Sequence, residues 1–238
     1  MHVIINQVVR KRLYKLLKRI VVISVILCTT FAVYVFIVTK NNTDMTIRQR
    51  IMKAIYPAIM FLTPKKKNMS QHNRDGQVKA PVSFYTLSAT ANNKTAFDFG
   101  QLQGKKVLIV NTASNCGYTA QYAELQKLYE QHKDKLVILG FPANDFKEQE
   151  KGTDEEIASF CQVNFGVSFP LMQKTTVIKS AQQNSVYQWL TDAAKNGWNS
   201  TAPEWNFSKY LVDENGTLID YYPPSVSPLS EEIVSQLD

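Results

Sequence analysis

The chain has 238 residues, 45% of them hydrophobic, with a formal charge of +7; that is enough for one domain with a substantial core plus an extension. The charge is uneven: residues 1–79 carry 15 Lys/Arg against 2 Asp/Glu, a balance of +13, and residues 80–238 carry 12 against 18, a balance of −6. This argues against nucleic acid as a partner of the acidic part, and the three cysteines and three scattered histidines make neither a disulfide framework nor a metal site.

Residues 1–19 form a basic segment with Arg10, Lys11, Arg12, Lys15, Lys18 and Arg19. Residues 20–38 follow as an uncharged run, IVVISVILCTTFAVYVFIV. As a helix it spans about 28 Å, close to the hydrocarbon thickness of a bilayer. The denser positive flank predicts a single-pass transmembrane helix with its N-terminus in the cytoplasm and the rest of the chain on the extracytoplasmic, periplasmic side. A cleaved signal peptide competes with this reading, but the run is long for one and no A-x-A site follows it.

Residues 39–79 read as a linker. Within it Ile47, Ile51, Ile55 and Ile59 step by four, with Arg48, Arg50 and Lys53 off that line. The pattern fits a helix lying on a membrane surface, kinked at Pro57, with Lys65, Lys66 and Lys67 near anionic headgroups. A disordered tether is the plainer alternative, and a re-entrant hairpin is too short to span.

From residue 80 onward the pattern is globular. Val82–Leu87 and Thr95–Phe99 read as the arms of a hairpin, and Lys106–Val110 as a buried strand. Leu125, Leu128 and Tyr129 then recur at helical spacing, so a strand ends, a turn carries Cys116, and a helix begins at about Gly117. A thiol there faces free backbone N–H groups and the positive end of a helix dipole, which favour the nucleophilic thiolate. The bland reading is a small buried residue. Leu136–Phe141 is a second buried strand, completing a right-handed βαβ unit. Thr153 and Glu156 form a capping box for a helix whose apolar face is Ile157, Phe160, Cys161 and Phe165. Thr175–Ile178 reads as a strand and Val186–Ala194 as a helix. Tyr210–Val212 pairs with Leu218–Tyr222, and Leu229–Leu237 closes the chain as a helix. The sum is an α/β domain, a mixed central sheet flanked by helices.

Four ordered motifs carry a resemblance: NTASNCGYT (111–119), LGFPANDFKEQEKG (139–152), SFCQVNFGVSFP (159–170) and EWNFSKYLVDENG (204–216). They resemble the blocks of the glutathione peroxidase family in its cysteine-containing, thioredoxin-dependent form. The resemblance implies a thioredoxin-like fold over residues 80–238 and a thiol peroxidase acting on hydrogen peroxide and organic or lipid hydroperoxides, with no cofactor. It implies Cys116 as peroxidatic thiol, with Gln149, Trp205 and Asn206 as neutral N–H donors around it. It also implies Cys161 as resolving thiol, reached by local unwinding of its helix. Ala143 stands where many members carry a cysteine, and Asp145 where they carry Gln. The segment from Lys174 to Glu204 is short where tetrameric members carry an interface loop, so a monomer is expected. No arginine lies beyond residue 79 to grip glutathione carboxylates, which favours thioredoxin or a thioredoxin-like reductant over glutathione. The rival functions are a membrane-tethered thiol–disulfide exchanger, which usually needs C-x-x-C where this chain has Thr119, and a peroxide sensor.

Overall fold

The computed structural model describes residues 2–42, 44–63, 70–73 and 78–237. It falls into two compact units, residues 1–41 and 42–238. The first unit is the helix α1, His2–Thr39. Its stretch from Arg10 to Thr39 is long and apolar enough to cross a membrane.

Among the described residues, the second unit begins with α2 (Ile47–Leu62) and β1 (Gln71–His72), followed by a 3-10 turn at Phe84–Thr86. Then come β2 (Ser88–Thr90), β3 (Ala96–Asp98), β4 (Lys106–Thr112), α3 (Gln121–His132), β5 (Leu136–Pro142) and α4 (Asp154–Phe165). The short helices α5 (Ser185–Leu190) and α6 (Ala193–Asn196), strands β6 (Lys209–Val212) and β7 (Leu218–Tyr222), and α7 (Glu231–Val234) complete it. The main sheet has the order β1-β7-β6-β4-β5. Its β4 runs parallel to β5 and antiparallel to β6, so β4 is interior and hydrogen-bonded along both edges.

The alternation along β4 divides the core. Leu108 and Val110 face one side with Tyr122, Leu125 and Leu128 of α3, Ile157 and Cys161 of α4, and Ile233 of α7. Val107 and Ile109 face the other with Phe84, Phe99, Tyr187, Trp189 and Tyr210. A period of two along an interior strand therefore produces helical cover on both faces. The α/β, thioredoxin-like architecture agrees with the sequence reading.

Several boundaries differ for local reasons. Ser83 caps a 3-10 turn through the Tyr85 N–H, so the first hairpin arm starts only at Ser88. The stretch 175–178 makes one isolated bridge, Thr176 to Gln183, rather than a strand. The helix expected over 186–194 is two helices, because Asp192 caps a new start through the Ala194 N–H. The linker contributes structure of its own. In α2 a capping box joins Thr46 and Gln49, Pro57 lies inside the helix, and Ala54 and Tyr56 are buried. Strand β1 pairs with β7. The expected headgroup contacts of Lys65, Lys66 and Lys67 fall outside the described residues.

Gly197 closes α6 at φ +101°, and a Cβ there would lie 2.6 Å from the carbonyl oxygen of Lys79. Backbone cannot yield as a side-chain tip can, so Gly197→Ala combines a steric clash with an unfavourable φ. The expected loss is ~2–3 kcal/mol, read as a fall in Tm of roughly 5–10 °C by calorimetry.

Candidate active site

Cys116 lies four residues beyond the end of β4, in a turn rather than on a helix. Helix α3 starts only at Gln121, and its N-cap, Ala120, makes no side-chain capping bond. The turn is closed by Thr119, whose hydroxyl accepts from the Cys116 N–H at 2.9 Å and donates to Ala113 O at 2.8 Å. The position that a C-x-x-C motif would use for its second sulfur thus holds a structural hydroxyl.

Cys116 is 1% exposed. The Tyr118 N–H points at it at 3.5 Å, and the Gly117 N–H, the Trp205 indole and the Asn206 carboxamide act on it as further donors. Burial pushes the thiol pKa up, and these donors pull it partly back. The expectation of a thiolate favoured at rest is therefore corrected. The helix terminus that was to supply the field begins four residues later than expected, and desolvation outweighs the turn and side-chain donors.

The other members of the expected set converge from two further loops. Asn206 Nδ2 donates to Gln149 Oε1 at 3.0 Å, and the Asn115 N–H donates to Gln149 O at 3.0 Å, joining the Cys116 turn to the second loop. Lys147 and Glu148, just before Gln149, have φ of 51° and 50°, a conformation that costs on the order of 1 kcal/mol per residue and persists only where surroundings impose it. Phe146 stacks obliquely on Trp205 at 5.5 Å, and Lys147 Nζ lies 5.5 Å over the indole. The third loop is pinned to β4: Asn111 Nδ2 donates to Trp205 O at 3.0 Å, and the Phe207 N–H donates to Asn111 O at 2.6 Å. So Cys116, Gln149, Trp205 and Asn206 stand together. Cys161, on α4, is a free buried thiol in the same core cluster as Cys116, and burial pushes its pKa up to about 12.

Asn144 Oδ1 accepts from the Glu150 N–H at 2.9 Å, and Asp145 Oδ2 from the Val177 N–H at 2.7 Å. Asn144 and the substituted position Asp145 therefore both carry structure. Two charged groups escaped the sequence reading. Glu150 is 1% exposed and accepts from Ser114 Oγ at 3.1 Å; burial pushes its carboxyl to about 7. Lys209 is fully buried, donates to Phe207 O at 2.9 Å and Val226 O at 2.7 Å, and is pulled down to about 7 by burial. Their places inside the motifs 139–152 and 204–216 are the signal the sequence offers, because nothing in a lone charged residue announces its burial.

A cysteine beyond the carboxyl end of an interior parallel strand, with helices on both faces, defines a thiol enzyme of thioredoxin-like fold. The family model described as glutathione peroxidase matches residues 84–191. Glutathione peroxidase-like peroxiredoxin 2 of Saccharomyces cerevisiae is 46% identical over 159 residues, 66% of this chain and 98% of that protein. The glutathione peroxidase of Lactococcus lactis subsp. cremoris is 42% identical over 155 residues, 64% of this chain and 98% of its own. The crystal structure of Trgpx in apo form is similar at 31% identity and a TM-score of 0.51, covering 66% of this chain and 97% of that one. The chain belongs to the glutathione peroxidase family and is a thiol peroxidase.

Glu150 provides a pH test. Its folded-state pKa of about 7 lies above the ordinary 4.5, so between those values the folded protein holds a proton that the unfolded chain has lost. Stability therefore falls as pH rises through that window, by ~3 kcal/mol. Glu150→Gln should flatten this dependence, seen as a smaller difference in Tm between about pH 5 and pH 7 than in the wild type, a window that closes where Lys209 begins to lose its own proton.

Proposed function

We propose that Cys116 is the peroxidatic thiol of a membrane-anchored peroxidase and that Cys161 resolves it. The convergence of the Gly117 and Tyr118 amides, Trp205 and Asn206 on one sulfur carries this reading. In the first step the Cys116 sulfur, as thiolate, attacks one oxygen of the hydroperoxide. The O–O bond breaks, Cys116 becomes a sulfenic acid, and the departing oxygen takes up the proton that left the thiol, giving water or an alcohol. Neutral donors suit this step because they stabilise both the thiolate and the developing alkoxide without holding a fixed charge against either. Gln149 acts through Asn206, accepting from its Nδ2 at Oε1.

In the second step the Cys161 thiolate attacks the Cys116 sulfur. The S–S bond forms, the S–OH bond breaks, and hydroxide leaves to be protonated to water. Cys161 lies on the buried face of α4, so the reading includes local unwinding of that helix. A thioredoxin-type dithiol then reduces the disulfide. The absence of arginine beyond residue 79 supports this reductant over glutathione.

The helix α1 supports a single-pass anchor with residues 1–19 in the cytoplasm and the catalytic unit outside it. The exposed Ile47, Phe61 and Leu62 of α2 support contact with lipid, which makes lipid hydroperoxides an accessible substrate class alongside hydrogen peroxide. We assign a monomer.

Peroxide turnover coupled to thioredoxin, thioredoxin reductase and NADPH tests the assignment. Cys116→Ser should lower kcat/KM by about a thousandfold and Trp205→Phe by about a hundredfold, through loss of one donor; undiminished turnover by Cys116→Ser removes the reading. After one equivalent of peroxide, peptide mass spectrometry should recover a Cys116–Cys161 disulfide in the wild type. In Cys161→Ser it should recover Cys116 sulfenic and sulfinic acids, and sulfinic acid alone in the wild type would remove the resolving role.

A further inference from the structure

Helix α2 lies outside the residues matched by the family model, yet it touches two parts of the site at once. On one side Gln49 Nε2 donates to Ser114 O at 3.0 Å. Met52 Cε lies 3.0 Å from where a Cβ on Gly117 would stand. These residues, with Met45, narrow the space beside Cys116 to a cavity of about 10 Å³, room for about one water. On the other side α2 grips the end of α4. Lys53 Nζ donates to Asn42 Oδ1 at 2.9 Å and to Asn164 O at 3.4 Å, and Asn42 Nδ2 donates to the same Asn164 carbonyl at 2.9 Å. The Lys53 ammonium also sits 4.7 Å over the Phe165 ring.

Those contacts complete a helix terminus. The last turn of α4 has no basic residue of its own, and Gly166 closes it in a left-handed conformation with its N–H on the carbonyls of Cys161 and Gln162. The final carbonyls of a helix lack partners within it, and a cation beside them is favourable. Lys53 and Asn42, from outside the helix, satisfy Asn164 and supply that charge. Tyr56, whose hydroxyl donates to Glu124 Oε1 on α3 at 3.1 Å, fixes the middle of α2.

We propose that α2 is a strap that keeps the last turn of α4 wound and so slows the closing of the Cys116–Cys161 disulfide, with Lys53 as its positioning residue. The proposal rests on Cys161 as the resolving thiol. Cys161 lies three residues before Asn164, so the turn that must open to release its sulfur is the one held by Asn42 and Lys53. In the step that the strap restrains, the Cys161 sulfur is oxidised and the Cys116 sulfenic sulfur reduced as the S–S bond replaces the S–OH bond, and the hydroxide leaves as water with the proton of the Cys161 thiol.

The test uses the full chain in detergent micelles, oxidised with one equivalent of hydrogen peroxide, quenched at intervals and followed by peptide mass spectrometry. Lys53→Met keeps the apolar stem and removes the charge. It should form the Cys116–Cys161 disulfide about fivefold faster than wild type, and Asn42→Ala should change the rate in the same direction. Lys53→Arg, which keeps the cation, should stay near the wild-type rate. Amide exchange at Phe165 to Val167 should rise in Lys53→Met and not in Lys53→Arg. A disulfide that forms at the wild-type rate or slower in both Lys53→Met and Asn42→Ala overturns the strap and leaves Cys161 as resolver. No disulfide in any variant or in the wild type overturns the resolving role of Cys161 and this proposal with it.

Discussion

Desolvation of the Cys116 sulfur opposes its ionisation, and much of the surrounding structure bears on that opposition. An interior strand delivers the chain into a turn where almost no water reaches the thiol. Burial there disfavours the charged form, as it does for any anion moved out of water. The counterweight is a set of N–H groups from the turn itself and from the 205–206 loop. None of these donors carries a net charge, so none creates a second desolvation problem. A lysine or arginine would favour the thiolate more strongly, but it would need its own partner in the same dry space.

For weak neutral donors to count, they must already be in place. The loop carrying Trp205 and Asn206 is tied to β4 at Asn111 by two hydrogen bonds, while Lys209 holds the carbonyl of Phe207 from beneath. Phe207 has φ of 69°, so two strained loops meet over the sulfur, the other being Lys147–Glu148. Such conformations survive because the surrounding bonds over-determine them. The same fastening holds the site in place, which suits the proposed peroxide step and opposes the proposed resolving step. Cys161 sits in the core cluster of α4 with its thiol pushed well above the ordinary range by burial. The proposed resolving role requires it to leave that environment first.

The legibility of these features in the sequence follows their range. The interior strand, the turn after it, the capping box at Thr153 and the alternation of core residues were readable, because each is set by neighbours a few positions apart. The four site motifs were readable because their residues resemble a family pattern. What could not be read depended on contacts between distant segments. Glu150 and Lys209 look like surface charges until the fold closes over them. The reactive character of Cys116 was assigned to a helix terminus, and the few residues separating Cys116 from Gln121 moved that cause to the turn. Helix α2 showed its isoleucine stripe, but Ala54 and Tyr56, off that stripe, are its most buried side chains, while Ile51, Ile55 and Ile59 are half-buried and Ile47 is exposed. Periodicity identified a helix and could not say which surface it would meet.

That last difference bears on what a structured helix does between α1 and the rest of the domain in the chain. A free tether would set a length and nothing else. A helix that holds the end of α4 and packs beside the Cys116 turn joins those two parts through Lys53 and Gln49. The exposed Phe61 and Leu62 at its far end are side chains that lipid stabilises and water does not. Gln49 and Lys53 are fastened to the domain nearer the other end of the same helix, and Pro57, which removes one hydrogen bond between the two ends, lies between them. Whatever covers Phe61 and Leu62 therefore acts on α4 only through the length of α2 and past its weakest turn.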